Sequence, residues 1–201
     1  SMSNNYRSIK LIRSPSVGLV LSGGGARGLA HIGVLRVLER EGIPVDFLAG
    51  TSMGGVIAAG YAAGMSSYDL ERESLVATQK RHMLRLVDPS MPKGGLIRGE
   101  RVLAFFKKEF GEKTFSDLNL PLSLLAVDLK SHKEIVLQEG LVALGLRATT
   151  SLPGIFMPVE INGLQLVDGG ILNNLPVDIA RKMGAEVVIA VDIGLANNEG
   201  I

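Results

Sequence analysis

Short apolar runs alternate along the chain with stretches in which apolar residues recur every three or four positions. The runs have the length of strands, and the periodic stretches have the spacing of one helix face. The runs predict strands at residues 17–21, 45–49, 121–128, 134–137 and 187–193, the last of them buried, and a hairpin over residues 159–167 centred on Asn162-Gly163. The periodic stretches predict helices at residues 28–40, 53–63, 99–110, 141–149 and 175–183, and one more opened by a Ser66–Asp69 capping box.

This alternation predicts an α/β fold with three layers, α/β/α, around a central, mostly parallel sheet that is covered on both faces. The elements follow one another from residue 17 to residue 201, which predicts a single domain. Residues 1–16 are polar and predict a tail, beginning with Ser1-Met2 as the expected remnant of a cleaved tag. Residues 83–98 contain two prolines and two glycines and predict a long loop.

Composition narrows the classes of function. The 201 residues are 46% hydrophobic with a formal net charge of +1, which is typical of a globular protein and gives no charge excess to attract nucleic acid. The chain has no cysteine, which excludes disulfides and thiolate metal sites. The N-terminus has no signal-peptide pattern, and no uncharged apolar run reaches the roughly 20 residues of a spanning helix. We therefore expect a cytoplasmic protein.

The stretch LSGGGARG, residues 21–28, joins the first predicted strand to the first predicted helix and has two interpretations. Gly23, Gly25 and Gly28 fit the G-x-G-x-x-G spacing of dinucleotide-binding loops, and Asp46 follows 18 residues after Gly28, near the expected place of an acidic ribose ligand. Against this interpretation, Asp46 leads into a strand rather than ending one, and no lysine follows Gly28 as in a P-loop. A tight turn without a ligand is the other interpretation.

The sequence Gly50-Thr51-Ser52-Met53-Gly54 is a G-x-S-x-G motif between a predicted strand and a predicted helix. This is the setting of a nucleophile elbow, in which a sharp turn lifts the serine side chain out of the path of the backbone. The helix that follows Ser52 presents its N-terminus to the site, which favours developing negative charge. The alternative is that Ser52 only caps this helix.

A serine nucleophile needs a base, and the histidines do not have the order of a hydrolase triad. His82 lies in a charged stretch and His132 lies in a predicted turn. No histidine follows His132 in the chain. His31 lies one turn into the first helix, close to the glycine loop, where a packed structural role is the favoured interpretation. The base is therefore sought among the carboxylates.

Asp168 is the carboxylate favoured as the base. It ends the second strand of the predicted hairpin and leads into a turn of two glycines and two asparagines, and sites collect at strand ends in α/β sheets. A plain Asp-Gly turn is the alternative interpretation. Asp128 and Asp192 also end predicted strands and are rival bases, although neither leads into a glycine turn.

Three ordered blocks resemble the patatin-like phospholipase family, chiefly its bacterial single-domain members and its neuropathy target esterase and lysophospholipase branch. The blocks are residues 22–28 (SGGGARG), 50–55 (GTSMGG) and 168–170 (DGG), with weaker likeness at residues 148–154 and 173–176. The resemblance implies a patatin-like hydrolase domain over residues 17–201, with Ser52 as nucleophile and Asp168 as the acid of a Ser-Asp dyad. It also implies an elbow flanked by Gly50 and Gly54 and an oxyanion-hole loop made of Gly23, Gly24, Gly25, Ala26, Arg27 and Gly28.

The same resemblance implies a serine lipid acyl hydrolase that cleaves phospholipid or lysophospholipid esters through an acyl-enzyme, with no metal and no cofactor. The implied partners are the lipid acyl-ester substrate and, through residues 83–97, a peripheral membrane contact. Three alternatives stay open: a catalytically weak regulatory or lipid-binding protein of this fold, a dinucleotide-binding protein, and acyl transfer to an acceptor other than water. Relatives usually continue past the last strand, so we expect the chain to be truncated at its C-terminus.

Overall fold

The computed structural model describes residues 13–78 and 96–194, and in this part of the chain one seven-stranded sheet carries helices on both faces. The strands are β1 (Val17–Leu21), β2 (Phe47–Thr51), β3 (Leu122–Asp128), β4 (Lys133–Leu137), β5 (Val159–Ile161), β6 (Leu164–Asp168) and β7 (Val187–Val191). The helices are α1 (Ala30–Arg40), α2 (Met53–Ala62), α3 (Ser67–Thr78), α4 (Glu100–Phe110), α5 (Val142–Thr149) and α6 (Val177–Met183). Short 3-10 turns cover Gly25–Leu29, Phe115–Asp117 and Gly169–Ile171.

The sheet is mixed, with the strand order β5-β6-β3-β2-β1-β7 and with β4 paired to β3. Strands β7, β1, β2 and β3 are parallel neighbours, whereas β4 and β6 both run antiparallel to β3. Strand β5 is antiparallel to β6 and so points the same way as the parallel set. Most strands therefore share one direction, and the carboxyl ends of the parallel strands form one edge where loops can build a site.

Strands β2 and β6 share one edge of β3 and approach each other end to end along it. The register pairs Thr51, the last residue of β2, with Leu125, and pairs Asp168, the last residue of β6, with Ala126. The opposite edge of β3 is taken by β4 over residues 124–128. Because β2 and β6 run in opposite directions, their carboxyl ends meet, and this places Ser52 beside Asp168.

The two faces of the sheet bury alternate residues against different helices, as the pleat of a strand requires. Leu19, Leu48 and Leu124 are fully buried on the face covered by α1, α2, α4 and α5. On the other face Val20 and Ala49 pack with residues of α6. The predicted three-layer α/β/α arrangement is confirmed, with most of the described helices on one side of the sheet.

Several local predictions are confirmed by hydrogen bonds and backbone angles. Ser66 and Asp69 bond reciprocally, with the Asp69 carboxylate accepting from the Ser66 N–H at 3.0 Å and the Asp69 N–H donating to the Ser66 hydroxyl at 3.1 Å. Asn162 and Gly163 turn the β5–β6 hairpin with φ angles of 51° and 78°. Within the predicted tail, Arg13 bonds the Glu186 carboxylate at 2.8 Å.

Two strand predictions are corrected. Strand β2 begins at Phe47, two residues later than predicted, because the Asp46 carboxylate instead accepts from the Val17 N–H at 2.7 Å and caps the start of β1. Strand β7 is not buried: Val187 is 42% exposed, because β7 is the outermost strand at its side of the described sheet. The predicted long loop at residues 83–98 lies outside the described residues except for its last three.

Candidate active site

Ser52 occupies the sharp turn between β2 and α2. Its φ of 52° and ψ of −126° are a strained combination that a residue with a side chain rarely adopts. The flanking glycines make this turn possible, because a Cβ on Gly50 would lie 2.7 Å from the backbone of Gly55 and a Cβ on Gly54 would overlap the Leu21 carbonyl. The G-x-S-x-G motif therefore forms the predicted strand–turn–helix, with Ser52 half-buried at the helix start.

Thr149, the last residue of α5, holds the Ser52 turn from the side. Its buried hydroxyl accepts a hydrogen bond of 2.9 Å from the Ser52 N–H and donates one of 2.6 Å to the Leu125 carbonyl. Sequence reasoning marked residues 148–154 only as a weak likeness and missed this role. A threonine at the end of a mostly apolar helical stretch is the available signal, because a buried hydroxyl requires partners.

Asp168 lies at the end of β6 and is 2% exposed. One carboxylate oxygen, Oδ1, accepts from the Gly170 N–H at 2.8 Å, while Oδ2 is buried and has no hydrogen-bond partner among the described residues. Burial raises the pKa of Asp168, and the nearby Ser52 hydroxyl and the Gly170 N–H partly offset that rise. The Ser52 hydroxyl lies near this carboxylate, whose Oδ2 is available to take a proton.

The glycine loop passes directly beside Ser52. A Cβ on Gly23 would lie 3.1 Å from the Ser52 Cβ and 2.6 Å from the Asn174 Oδ1, so only glycine fits there. The Asn174 amide donates to the Gly23 carbonyl at 3.0 Å and fixes the loop. In the described part of the chain, the N–H groups of Gly23 and Gly24 donate no hydrogen bond, which leaves them able to bind an anion near Ser52.

The second half of the glycine loop is a 3-10 turn that supports the first half. Gly25 begins this turn with a φ of 58°, and Ala26 is its second residue. The Arg27 side chain folds back to donate to the Gly24 carbonyl at 3.3 Å. Gly28 packs so closely against Met53 that a Cβ would overlap the Met53 side chain. The loop and the Ser52 elbow are thus one packed unit.

His31 is a buried structural residue. Its Nε2 lies 2.7 Å from the Ser22 carbonyl oxygen, which can only accept, so Nε2 carries the proton. Its Nδ1 is buried with no partner among the described residues, and burial lowers the pKa of His31. The ring is therefore neutral and anchors the residue that opens the glycine loop. His132 lies exposed in the β3–β4 turn, and His82 lies outside the described residues.

The two rival carboxylates are engaged in turns of their own. The Asp128 side chain accepts from the Ser131 N–H and hydroxyl and from the Gln165 N–H, and these bonds lower the pKa of Asp128 to about 2. Asp192 accepts from the Gly194 N–H at 2.8 Å. The lowered pKa of Asp128 does not suit a base, and the Asp192 carboxylate is held in its own turn, which separates both from Asp168.

The dinucleotide interpretation is not supported by the position of Asp46. This residue precedes β2 and bonds the first residue of β1, whereas the glycine loop follows the carboxyl end of β1. Five residues of strand separate the two ends by roughly 17 Å. Asp46 therefore lies at the wrong end of the sheet to bind a ribose held by the loop.

A cavity of about 440 Å³ opens beside the elbow, between α2, α3 and α4. Met53, Thr150 and Phe156 border it near Ser52, and most of its other lining residues are apolar. Among residues 13–78 and 96–194, no group of acidic or histidine side chains is arranged to hold a metal ion. None of the helices described is long and apolar enough to cross a membrane.

Comparison with known proteins identifies the family of this chain. The family model for patatin-like phospholipase matches residues 19–181, and the chain belongs to this family. An uncharacterized NTE family protein of Mycobacterium tuberculosis is 37% identical over 181 residues, which are 90% of this chain and 49% of that relative. Patatin-like phospholipase domain-containing protein 6 of Homo sapiens is 38% identical over 94% of this chain, which spans 14% of that protein.

A solved structure supports the assignment of the fold. VipD from Legionella pneumophila superposes with a TM-score of 0.65 at 17% sequence identity, over 81% of this chain and 47% of VipD. The likeness to VipD concerns the fold alone.

Proposed function

We propose that this chain is a serine lipid acyl hydrolase in which Ser52 is the nucleophile and Asp168 the general base. The observation that carries the proposal is the pairing of a strained serine turn with a buried carboxylate oxygen that has no other partner among the described residues. A carboxylate is ordinarily a weak base, and the raised pKa of Asp168 brings its proton affinity closer to what the reaction needs.

The proposed reaction breaks the substrate ester while an acyl-enzyme ester forms on Ser52, and water then cleaves that second ester. Ser52 Oγ attacks the carbonyl carbon of the substrate while its proton passes to Asp168 Oδ2. The tetrahedral intermediate collapses, the bond to the alcohol breaks, and Asp168 returns the proton to the departing oxygen. Water then gives a proton to Asp168 and attacks the acyl-enzyme. Cleavage of the bond to Ser52 Oγ releases the fatty acid, and the proton returns to the serine.

We propose that the glycine loop stabilises the oxyanion of both intermediates. Gly23 lies beside Ser52 and Gly24 follows it in the loop, and the N–H groups of both donate no hydrogen bond in the described chain. In other enzymes, removing one such donor costs about 3 kcal/mol of transition-state stabilisation and lowers the rate accordingly. The side chain of Arg27 supports this role indirectly, because it bonds the Gly24 carbonyl rather than the site.

The acyl chain of the substrate is proposed to enter the cavity beside Met53. The cavity begins next to the nucleophile and is lined mainly by aliphatic and aromatic side chains, which suits a hydrocarbon chain. The similar human protein is named a patatin-like phospholipase domain-containing protein, and we extend that name to phospholipid and lysophospholipid esters as substrates here.

The proposal is tested by hydrolysis of phosphatidylcholine and lysophosphatidylcholine vesicles, followed as release of fatty acid. Ser52→Ala and Asp168→Asn are each expected to lower the rate by roughly a thousandfold or more. Asp192→Asn is the matched control, because that carboxylate lies in its own turn, and it is expected to keep the wild-type rate. Lipid binding without any hydrolysis by the wild type would instead support a regulatory lipid-binding protein.

We further propose that the rim of the site contacts a lipid surface. Exposed apolar side chains lie on the two segments that follow Thr150 and Asp168: Leu152, Ile155, Met157, Ile171 and Leu172. Side chains of this kind bury their apolar area in the boundary of a membrane. The double variant Ile171→Ser, Leu172→Ser should lose vesicle binding and vesicle hydrolysis while keeping hydrolysis of a dissolved short-chain ester. Unchanged vesicle binding would contradict the contact.

A further inference from the structure

The cavity beside Ser52 extends along one face of α2. Met53, Ile57 and Gly60 of this helix line it at helical spacing, and Ala63, just past the helix end, continues the row. Val56 lies between the first two and is half-buried against the same space. Ten residues separate Met53 from Ala63, so the lined path is roughly 15 Å long at 1.5 Å per residue.

Hydrogen bonds fix the direction of this path. At the end near Ser52, the Arg147 guanidinium of α5 donates to the Gly99 carbonyl at the start of α4. At the other end, the Asn119 N–H donates to the Ala62 carbonyl at 2.8 Å, and the Val142 N–H donates to the Lys113 carbonyl at 3.0 Å. Helices α2 and α4 therefore both lead away from the nucleophile, and the cavity between them ends near Phe110 and Lys113.

The chemistry of the walls changes along the path. Apolar side chains of α2, α3 and α4 line most of its length, among them the buried Leu70 and Phe106, and Glu73 and Ser74 of α3 add polar groups to one wall. Gly60 lets the Leu70 and Met65 side chains of the wall pack close to α2, because a Cβ there would lie 2.5 Å from Leu70 Cδ2 and 3.3 Å from Met65 Sδ. The far end borders the exposed charged residues Glu109 and Lys113. A hydrocarbon chain that covered them would displace water and give these charges no polar partner.

We infer that the length of this path, taken along α2 from Ser52, determines which acyl-chain length the protein prefers. The inference rests on the proposed acyl hydrolase function. A path of about 15 Å accommodates roughly a dozen carbons in an extended zigzag. Each methylene group that reaches the apolar walls adds binding, and each one beyond the end of the path adds none. Val56 and Ala63 are the specificity-determining positions, one shallow and one deep.

The test compares Val56→Phe with Ala63→Phe on p-nitrophenyl esters of butanoate, octanoate, dodecanoate and palmitate. Val56→Phe blocks the path roughly 4.5 Å beyond Met53, and Ala63→Phe blocks it near the end. We expect Val56→Phe to lower kcat/KM about tenfold or more for octanoate and longer esters, and Ala63→Phe to do so only for dodecanoate and palmitate. The readout is the ratio of kcat/KM for each longer ester to that for butanoate, which removes any general loss of activity in a variant. Val37→Phe, on an exposed face of α1, is the matched control with an unchanged profile.

The outcomes separate this inference from the proposed function. Losses that follow the depth of the substitution support the inference. An unchanged chain-length profile in both variants, with butanoate still hydrolysed, would overturn it while the hydrolase proposal stands. An equal loss at every chain length would also overturn it, and Ala63→Leu then serves as the milder deep variant to confirm that result. A wild type that hydrolyses no ester at all would overturn both.

Discussion

The main-chain N–H of Ser52 donates a 2.9 Å hydrogen bond to the side-chain hydroxyl of Thr149, nearly one hundred residues away in the chain. The same hydroxyl donates a hydrogen bond to the Leu125 carbonyl, so the donor and the acceptor of both hydrogen bonds are determined. The strained turn of Ser52 is thereby tied to both α5 and β3. A nucleophile placed by such a bond is expected to depend on Thr149 for its position as much as on its flanking glycines.

Replacement of Thr149 by valine should lower activity by displacing the nucleophile. Valine has nearly the shape of threonine but removes the acceptor of the half-buried Ser52 N–H and the hydroxyl donor to the carbonyl of the buried Leu125. We expect kcat on a short-chain ester to fall about tenfold or more with little change in KM, because substrate contacts are untouched. Thr149→Ser keeps the hydroxyl and should restore most of kcat. Equal rates in both variants would contradict this positioning role.

Replacement of Asp168 by asparagine should stabilise the fold while it removes activity. Burial raises the folded-state pKa of Asp168 above the value in the unfolded chain. This group therefore makes the fold more stable at low pH than at high pH. This extra stability is complete below the unfolded pKa of Asp168 and is lost as the pH rises through the folded pKa, where the buried group must ionise. Thermal unfolding should therefore show Asp168→Asn melting a few degrees above wild type at pH 8, with the difference gone near pH 4. A lower melting temperature at pH 8 would argue against a destabilised buried carboxylate.

Replacement of Asp128 by asparagine should have the opposite effects on stability and activity, because we expect this carboxylate to stabilise the fold. Three hydrogen bonds from Ser131 and Gln165 lower its folded-state pKa to about 2, so its stabilising effect is present above the unfolded pKa and is lost as the pH falls toward 2. Asp128→Asn should lower the melting temperature at pH 7 and keep catalytic activity at temperatures where it is folded. Complete loss of activity in a folded Asp128→Asn variant would restore this residue as a rival base.

The anchor between His31 and Ser22 predicts loss of stability in mild acid. The pKa of His31 is lowered in the folded state, so its contribution is present above the unfolded value of 6.5 and is lost as the pH falls below it. His31→Gln places an amide donor near the Ser22 carbonyl and should keep activity and abolish the acid dependence, as followed by thermal unfolding from pH 8 to pH 5. His31→Leu, which has no donor, should be destabilised at every pH. Identical behaviour of the two variants would exclude the hydrogen bond as the cause.

Much of this site was predictable because its parts lie within single short segments. The glycine loop and the Ser52 elbow each join one strand to the next helix, so their geometry follows from local turn chemistry and from glycines that approach other backbone closely. The position of Asp168 at a strand end was predictable for the same reason. Its contact with Ser52 requires β2 and β6 to meet end to end along β3, which is a tertiary relationship.

The features that sequence reasoning missed depend on packing between distant segments. Thr149 contacts Ser52 only because α5 lies across the end of β2. The exposure of β7 reflects its outermost place in the described sheet, although its composition is that of a buried strand. The cavity along α2 is formed by three helices, and helical periodicity alone does not distinguish a residue that lines a cavity from one that packs in the core.

The most direct test of the central claim is labelling of the purified protein with a fluorophosphonate, with the modified residue identified by mass spectrometry. An activated Ser52 is expected to be labelled, the label should be absent from Ser52→Ala, and the rate of labelling should be much lower in Asp168→Asn. Asp192→Asn should be labelled at the wild-type rate. Absence of label at Ser52 in the wild-type protein, or equal labelling of wild type and Asp168→Asn, would contradict a serine nucleophile served by Asp168.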